Sequence, residues 1–199
     1  MTGSSPQLIL IAGPNGAGKS TLAPFLLRDA FGPMQFVNAD AIAVGLSAFR
    51  PETVAFEAGR IMLKRLYALA EQRASFAFES TLASRLYAAW IDGLCRQGYE
   101  FHLIFLSLRN SDLAVQRVRE RVRAGGHDVA DSVIRRRFVR GAGNFFGIYR
   151  ALADTWLVYD NSARHNPLLI ARGSKEGGEK VIHEDIWQQF ERVADEGGK

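Results

Sequence analysis

The stretch that most limits the fold is QLILIA, residues 7–12, which runs without a break into GPNGAGKST. A short, nearly continuous apolar run without alternation reads as a strand buried on both faces, the kind found in parallel sheets. The next eight residues, Gly13-Pro14-Asn15-Gly16-Ala17-Gly18-Lys19-Ser20, fit the spacing G-x4-G-K-[ST]. Glycines at those positions let the backbone curl so that its amides face an anion, and a helix opening after them adds partial positive charge. Strand, glycine turn and helix in that order predict a loop, Gly13 to Thr21, around the phosphates of ATP. Lys19 is expected to reach the β- and γ-phosphates, and the Ser20 hydroxyl to hold Mg²⁺.

The rest of the chain repeats the same rhythm. Further strands are expected at 35–40, 75–80, 100–108, 155–161 and 168–173, with KEGGEK read as a polar turn after the last. Helices are expected at 51–73, 85–97, 111–124 and 131–146, with a closing helix over EDIWQQFERVA. Pro24 falls inside the helix after the glycine turn, where it removes a backbone donor. Strands alternating with helices predict an α/β fold. The expected form is a P-loop NTPase three-layer sandwich: a mostly parallel sheet of five or six strands with helices on both faces. The 199 residues fit one domain, residues 1–199, with a helical arginine-rich lid over about 111–146.

Composition narrows the setting. The longest apolar runs, LILIA and FHLIFLSL, are strand-sized and too short to cross a bilayer. MTGSSPQ has neither a basic segment nor an apolar one, so no secretion signal is expected. Cys95 is the single cysteine, with Trp90 and Leu94 as near neighbours in sequence, and reads as a packed thiol of a reducing, cytoplasmic compartment. The four histidines lack metal-ligand spacing.

Charge is concentrated. Residues 117–140 carry eight arginines against Glu120, Asp128 and Asp131, a net +5, while the whole chain is +4. The remainder is therefore about neutral, which suits a small polyanion and argues against a nucleic-acid footprint. Arg117 and Arg121 share one flank of a helix, Arg119 and Arg123 the other. Only one flank can face a nucleotide, and Arg121 with Arg117 beside it is the expected pair. Arginine suits the negative charge that spreads over a phosphoryl group in transfer. The pair Gly125-Gly126 reads as a hinge between the two arginine-bearing helices, with His127 fixing it by hydrogen bonds. Three strands are expected to end on an acid, Asp40, Glu79 and Asp160. In an open α/β sheet ligands bind beyond those ends. Glu79, after FAF, looks like the end of a Walker-B strand and a second Mg²⁺ group, and Ser80 and Thr81 follow it with hydroxyls.

Taken together, GPNGAGKST, FVNADAIA, FESTLASR, RVRERVRAGGHDVADSVIRRRF and LVYDNS, lying between residues 8 and 162, resemble the zeta-toxin family of P-loop kinases. The GGHDV and RRRF segments place the resemblance in a compact branch of that family. It implies transfer of phosphate from ATP to the 3′-hydroxyl of a UDP-N-acetyl amino sugar or a related nucleotide-sugar. It assigns Asp40 as general base, Glu79 and Thr81 as groups around substrate or Mg²⁺, and Arg137 as a second lid arginine. A small antitoxin-like protein partner is part of what it implies. Two other readings remain: an NTP-hydrolysing or NTP-sensing module acting on a protein partner, and a polynucleotide 5′-kinase.

Overall fold

Leu8, Leu10 and Ala12 belong to the core on one side of strand β1 (Gln7–Ala12), Ile9 and Ile11 to the core on the other, and all five are fully buried. Burial on both faces is why the strand reads as a continuous apolar run. The structure is a computed structural model that describes residues 5–31, 34–126, 128–163 and 166–196, so His127 lies outside the described residues.

After β1 come α1 (Lys19–Phe31), β2 (Gln35–Val37), α2 (Ala39–Leu46), a 3₁₀ turn (Pro51–Val54) and α3 (Ala55–Glu71). Then follow β3 (Phe76–Ser80), α4 (Ala88–Arg96), β4 (Glu100–Ser107), α5 (Ser111–Arg123) and α6 (Asp131–Asn144). A π turn (Phe145–Tyr149) and α7 (Arg150–Leu152) lead into β5 (Thr155–Asp160), β6 (Leu168–Ser174), β7 (Gly178–Val181) and α8 (Glu184–Glu196). Seven strands form one sheet in the order β2-β3-β1-β4-β5-β6-β7. The first five run parallel, β6 pairs antiparallel with β5, and β7 pairs antiparallel with β6. The sheet order reverses beside β1, whose neighbours are β3 and β4, so the loop after β1 sits at the switch point where such sheets bind ligands.

Several sequence expectations change. The seventh strand falls where a polar turn was expected: the turn is confined to 175–177 and β7 follows as an exposed edge strand. Glu179 and Lys180 occupy adjacent positions of β7, so charge falls on both of its faces and no apolar alternation marks it as a strand. Asp40 does not end a strand. β2 stops at Val37, and the Asn38 side chain accepts a hydrogen bond from Ala41 N at 2.9 Å, which opens α2 with Asp40 in its first turn. In the same way Asn110, not Ser111, caps α5 by accepting from Leu113 N.

The expected lid is built into the sandwich. Ala114, Val115 and Val118 of α5 and Ile134 and Phe138 of α6 are buried with Ile9, Ile11 and Leu106 on one face of the sheet. Phe145 and Tyr149, just beyond α6, are fully buried with Phe105 and Trp156 on the other face. The two helices are also tied to each other by Arg119–Asp131 and by Arg135, which reaches Asp112 at 2.6 Å and Ser111 at 2.9 Å. Among the described residues no helix is long and apolar enough to cross a membrane.

Candidate active site

The carbonyls of the loop after β1 are held by side chains. Lys19 Nζ donates to the carbonyl oxygens of Gly13 and Pro14, each at 3.0 Å. Arg117 Nη1 lies 3.5 Å from the Gly16 carbonyl, and Asn161 Nδ2 donates to that of Ala17 at 2.8 Å. With these acceptors engaged, what the loop offers an anion is its remaining N–H groups and the start of α1. Gly16 is required twice over. Its φ is +77°, and a Cβ there would meet the Ala114 carbonyl of α5 at 2.9 Å.

These elements enclose a cavity of about 360 Å³. Asn15, Gly16, Gly18, Lys19, Ser20 and Thr21 line it from the loop, Asp40 from α2, Glu79 from β3, Arg117 and Arg121 from α5, and Asn161 from the end of β5. Ser20 Oγ donates to Glu79 Oε2 at 2.8 Å and accepts from Asn38 Nδ2 at 3.2 Å. Arg121 Nη1 stands 3.9 Å from Asp40 Oδ2. Arg137 reaches the loop from α6, with Nη1 3.4 Å from Asn15 Oδ1.

Lys19 is where these charges meet. Burial pulls its pKa below the ordinary value, the Glu79 and Asp40 carboxylates push it back up, and Arg121 and Arg137 lower it again. Burial, with Arg136 alongside, likewise lowers Arg137, and Asp40 opposes the shift. Two carboxylates, Asp40 and Glu79, and three cations, Lys19, Arg117 and Arg121, line one cavity, which suits a ligand with both concentrated negative charge and a proton to give up.

Some expected residues stand elsewhere. Neither Arg137, which reaches Asn15, nor Thr81 is among the residues lining the cavity. The chain turns just after Glu79: Ser80 Oγ accepts from Leu82 N at 3.1 Å, and Leu82, fully buried, has φ +59°. Thr81 is carried instead against α6. Asp160 ends β5, but its carboxylate accepts from Ser162 N at 3.0 Å and Ser162 Oγ at 2.8 Å, so it shapes a turn. Arg117 lines the cavity yet works as a brace. It is buried, and besides Gly16 it donates to the Ser162 carbonyl at 2.9 Å. The Arg119 and Arg123 flank lines a separate surface cleft with Arg135.

Asn38 and Asn161 are site residues that the sequence reading passed over. Asn38 had a signal, since Asn before a possible first turn is a preferred cap. Asn161 had none, because its partner Ala17 is 144 positions away.

An oxygen-rich pair such as the Ser20 hydroxyl and the Glu79 carboxylate fits Mg²⁺, which takes one or two protein groups and fills its other positions with water and phosphate. Among the described residues there is no cluster of three or more His, Cys, Asp and Glu that would hold a metal by itself.

A parallel sheet with a glycine loop at its switch point, a lysine folded into that loop and a hydroxyl at the helix start define a P-loop NTPase domain. The comparisons agree. Residues 8–139 match the family described as AAA domain, and the chain belongs to that family. It is 28% identical to an uncharacterized protein of Haemophilus influenzae over 132 residues, which are 66% of this chain and 92% of that one. Among solved structures it is similar to AvrRxo1-ORF1:-ORF2 with ATP, at a TM-score of 0.75 and 15% identity, over 96% of this chain. The match spans only 64% of that chain. It is also similar to a component of the PezAT chromosomal toxin-antitoxin system of Streptococcus pneumoniae, at a TM-score of 0.62 and 16% identity, over 100% of this chain and 90% of the other.

Proposed function

We propose that this chain is a phosphotransferase resembling zeta toxins, moving the γ-phosphate of ATP to a hydroxyl of a UDP-N-acetyl amino sugar or related nucleotide-sugar. The observation that carries the reading is one cavity lined by both the phosphate loop and Asp40, with Arg121 beside Asp40 and with Ser20 and Glu79 hydrogen-bonded to each other. A P-loop alone serves hydrolysis, motion and transfer alike; a carboxylate facing the phosphates is what an acceptor hydroxyl needs.

In this reading the Gly13–Thr21 loop and Lys19 hold the phosphates. Ser20 and Glu79 would hold Mg²⁺ or its waters, and the ion would supply positive charge to offset that of the phosphates. Asp40 takes the proton of the acceptor hydroxyl as its oxygen bonds to the γ-phosphorus and the bond to the β–γ bridging oxygen breaks, releasing ADP. Arg121 and Arg137 stabilise the negative charge on the transferring group. A cytoplasmic setting fits the half-buried thiol of Cys95, whose pKa burial pushes up. The two-component systems named for both structural neighbours support a protein partner here too.

The test is incubation with γ-labelled ATP and Mg²⁺ against UDP-N-acetyl amino sugars, nucleosides, short oligonucleotides and no acceptor, followed by mass analysis. A phosphorylated nucleotide-sugar is expected. A labelled oligonucleotide would make the chain a polynucleotide kinase, and phosphate release independent of acceptor would make it an NTP-hydrolysing module. Asp40→Asn is expected to lower transfer by about 10²- to 10⁴-fold while leaving ATP affinity nearly unchanged.

A further inference from the structure

We infer that Gly126 is a positioning residue for Arg121: the missing side chain at 126 makes the room in which the stem of Arg121 lies on its way to Asp40. The inference rests on the reading above, in which Arg121 acts on the transferring phosphate.

The two glycines after α5 close the helix and do not leave it loose. Gly126 N donates to the Arg121 carbonyl and Gly125 N to that of Val122, each at 2.9 Å. Those two bonds form a Schellman cap, with Ala124 as the C-cap residue. Within it the glycines meet different demands. Gly125 has φ +86°, a left-handed conformation that side chains resist, but a Cβ there would stand in open space. At Gly126 the limit is room. A Cβ would lie 2.6 Å from Arg121 Cγ, 2.9 Å from the Arg121 carbonyl oxygen and 3.3 Å from Arg121 Cδ. No real Cβ sits that close, so an alanine at 126 must push the Arg121 stem aside or stretch the cap bond. The first displaces a guanidinium now 3.9 Å from Asp40, and it is the expected outcome, because the short contacts fall on the side-chain carbons Cγ and Cδ as well as on the carbonyl. The stem is confined at Cγ and Cδ, so a small shift there is carried to the charged end.

The experiment compares Gly126→Ala, Gly125→Ala, Arg121→Ala and the double variant Gly126→Ala/Arg121→Ala. The first readout needs no activity: the ¹⁵N–¹H signal of Arg121 Nε, assigned by its loss in Arg121→Ala. Gly126→Ala is expected to move that signal. Gly125→Ala is expected to lower Tm by a few degrees and leave the signal in place. The second readout is transfer. Misplacing a catalytic group by about 1 Å lowers the rate roughly a hundredfold, so kcat is expected to fall between ten- and a hundredfold in Gly126→Ala with KM for ATP within threefold. In the Arg121→Ala background the same change is expected to have no further effect. An unmoved Nε signal, or an equal loss of kcat with Arg121 already removed, overturns the inference. If Gly126→Ala does not fold, recovery of folding in the double variant supports it and failure of both overturns it. A wild type without acceptor-dependent transfer would overturn the proposed function and leave the spectroscopic result to decide the role of Gly126.

Discussion

Ser20 Oγ donates a hydrogen bond to Glu79 Oε2 at 2.8 Å, joining the first turn of α1 to the end of β3. The two come together because β1, whose loop leads into α1, pairs in parallel with β3, with Ala12 opposite Ser80. Glu79→Gln keeps the shape and removes the charge. The Mg²⁺ concentration for half-maximal transfer is expected to rise about ten- to a hundredfold, the size of effect seen when groups supporting a metal are lost. Initial rates against Mg²⁺ at fixed ATP check this; an unchanged curve would take Glu79 out of the metal's surroundings.

Lys19 links the site to stability. Burial holds its folded-state pKa below the ordinary 10.5, so between the two values the unfolded chain binds more protons and stability rises with pH. Lys19→Met is expected to abolish that rise as well as ATP binding. Urea unfolding of both proteins from neutral pH to pH 10.5 is the measurement, with the wild type gaining on the variant as pH rises. Parallel curves would mean that Lys19 titrates alike in both states.

Asn161→Ala removes the donor to the Ala17 carbonyl, and both groups are buried. A buried acceptor left without its partner lowers stability by about 1–3 kcal/mol. ATP affinity is expected to fall with it, since the same bond holds the phosphate loop in shape. Denaturant titration and calorimetric ATP binding read the two effects, and a loss of stability without loss of affinity would confine Asn161 to folding.

Gly141 lets α6 approach the turn after Glu79. A Cβ at 141 would lie 2.6 Å from the Thr81 carbonyl oxygen, whereas one at Gly147 would meet nothing within 4 Å. Gly141→Ala is expected to lower stability by about 1–3 kcal/mol through overpacking and to reduce kcat, because α6 carries Arg137. Gly147→Ala serves as the comparison and is expected to be closer to the wild type in both. Thermal unfolding with steady-state kinetics separates them.

What was legible in the sequence was local. GPNGAGKST specifies a loop from its own glycines and the strand and helix that flank it, and the apolar run 7–12 marks a strand covered on both faces. The five parallel strands follow from the same reasoning. β7 is not legible because an exposed edge strand needs no apolar alternation, and α2 is not because FVNAD reads locally as strand whereas Asn38 caps a helix. Helical spacing put Arg117 and Arg121 on one flank, but periodicity carries no bearing relative to the rest of the molecule.

That bearing is a property of the folded chain. By itself the sequence determined the phosphate loop, the α/β alternation and the presence of a dense set of arginines, because each depends on neighbours a few positions apart. Only the tertiary structure decided that Arg117 braces the loop at Gly16, 101 positions away, that Arg121 meets Asp40, and that Asn161 holds Ala17 across 144 positions. Contacts of that range are set by which strands pair and which helix covers them, and no local pattern encodes the distance between two side chains brought together that way.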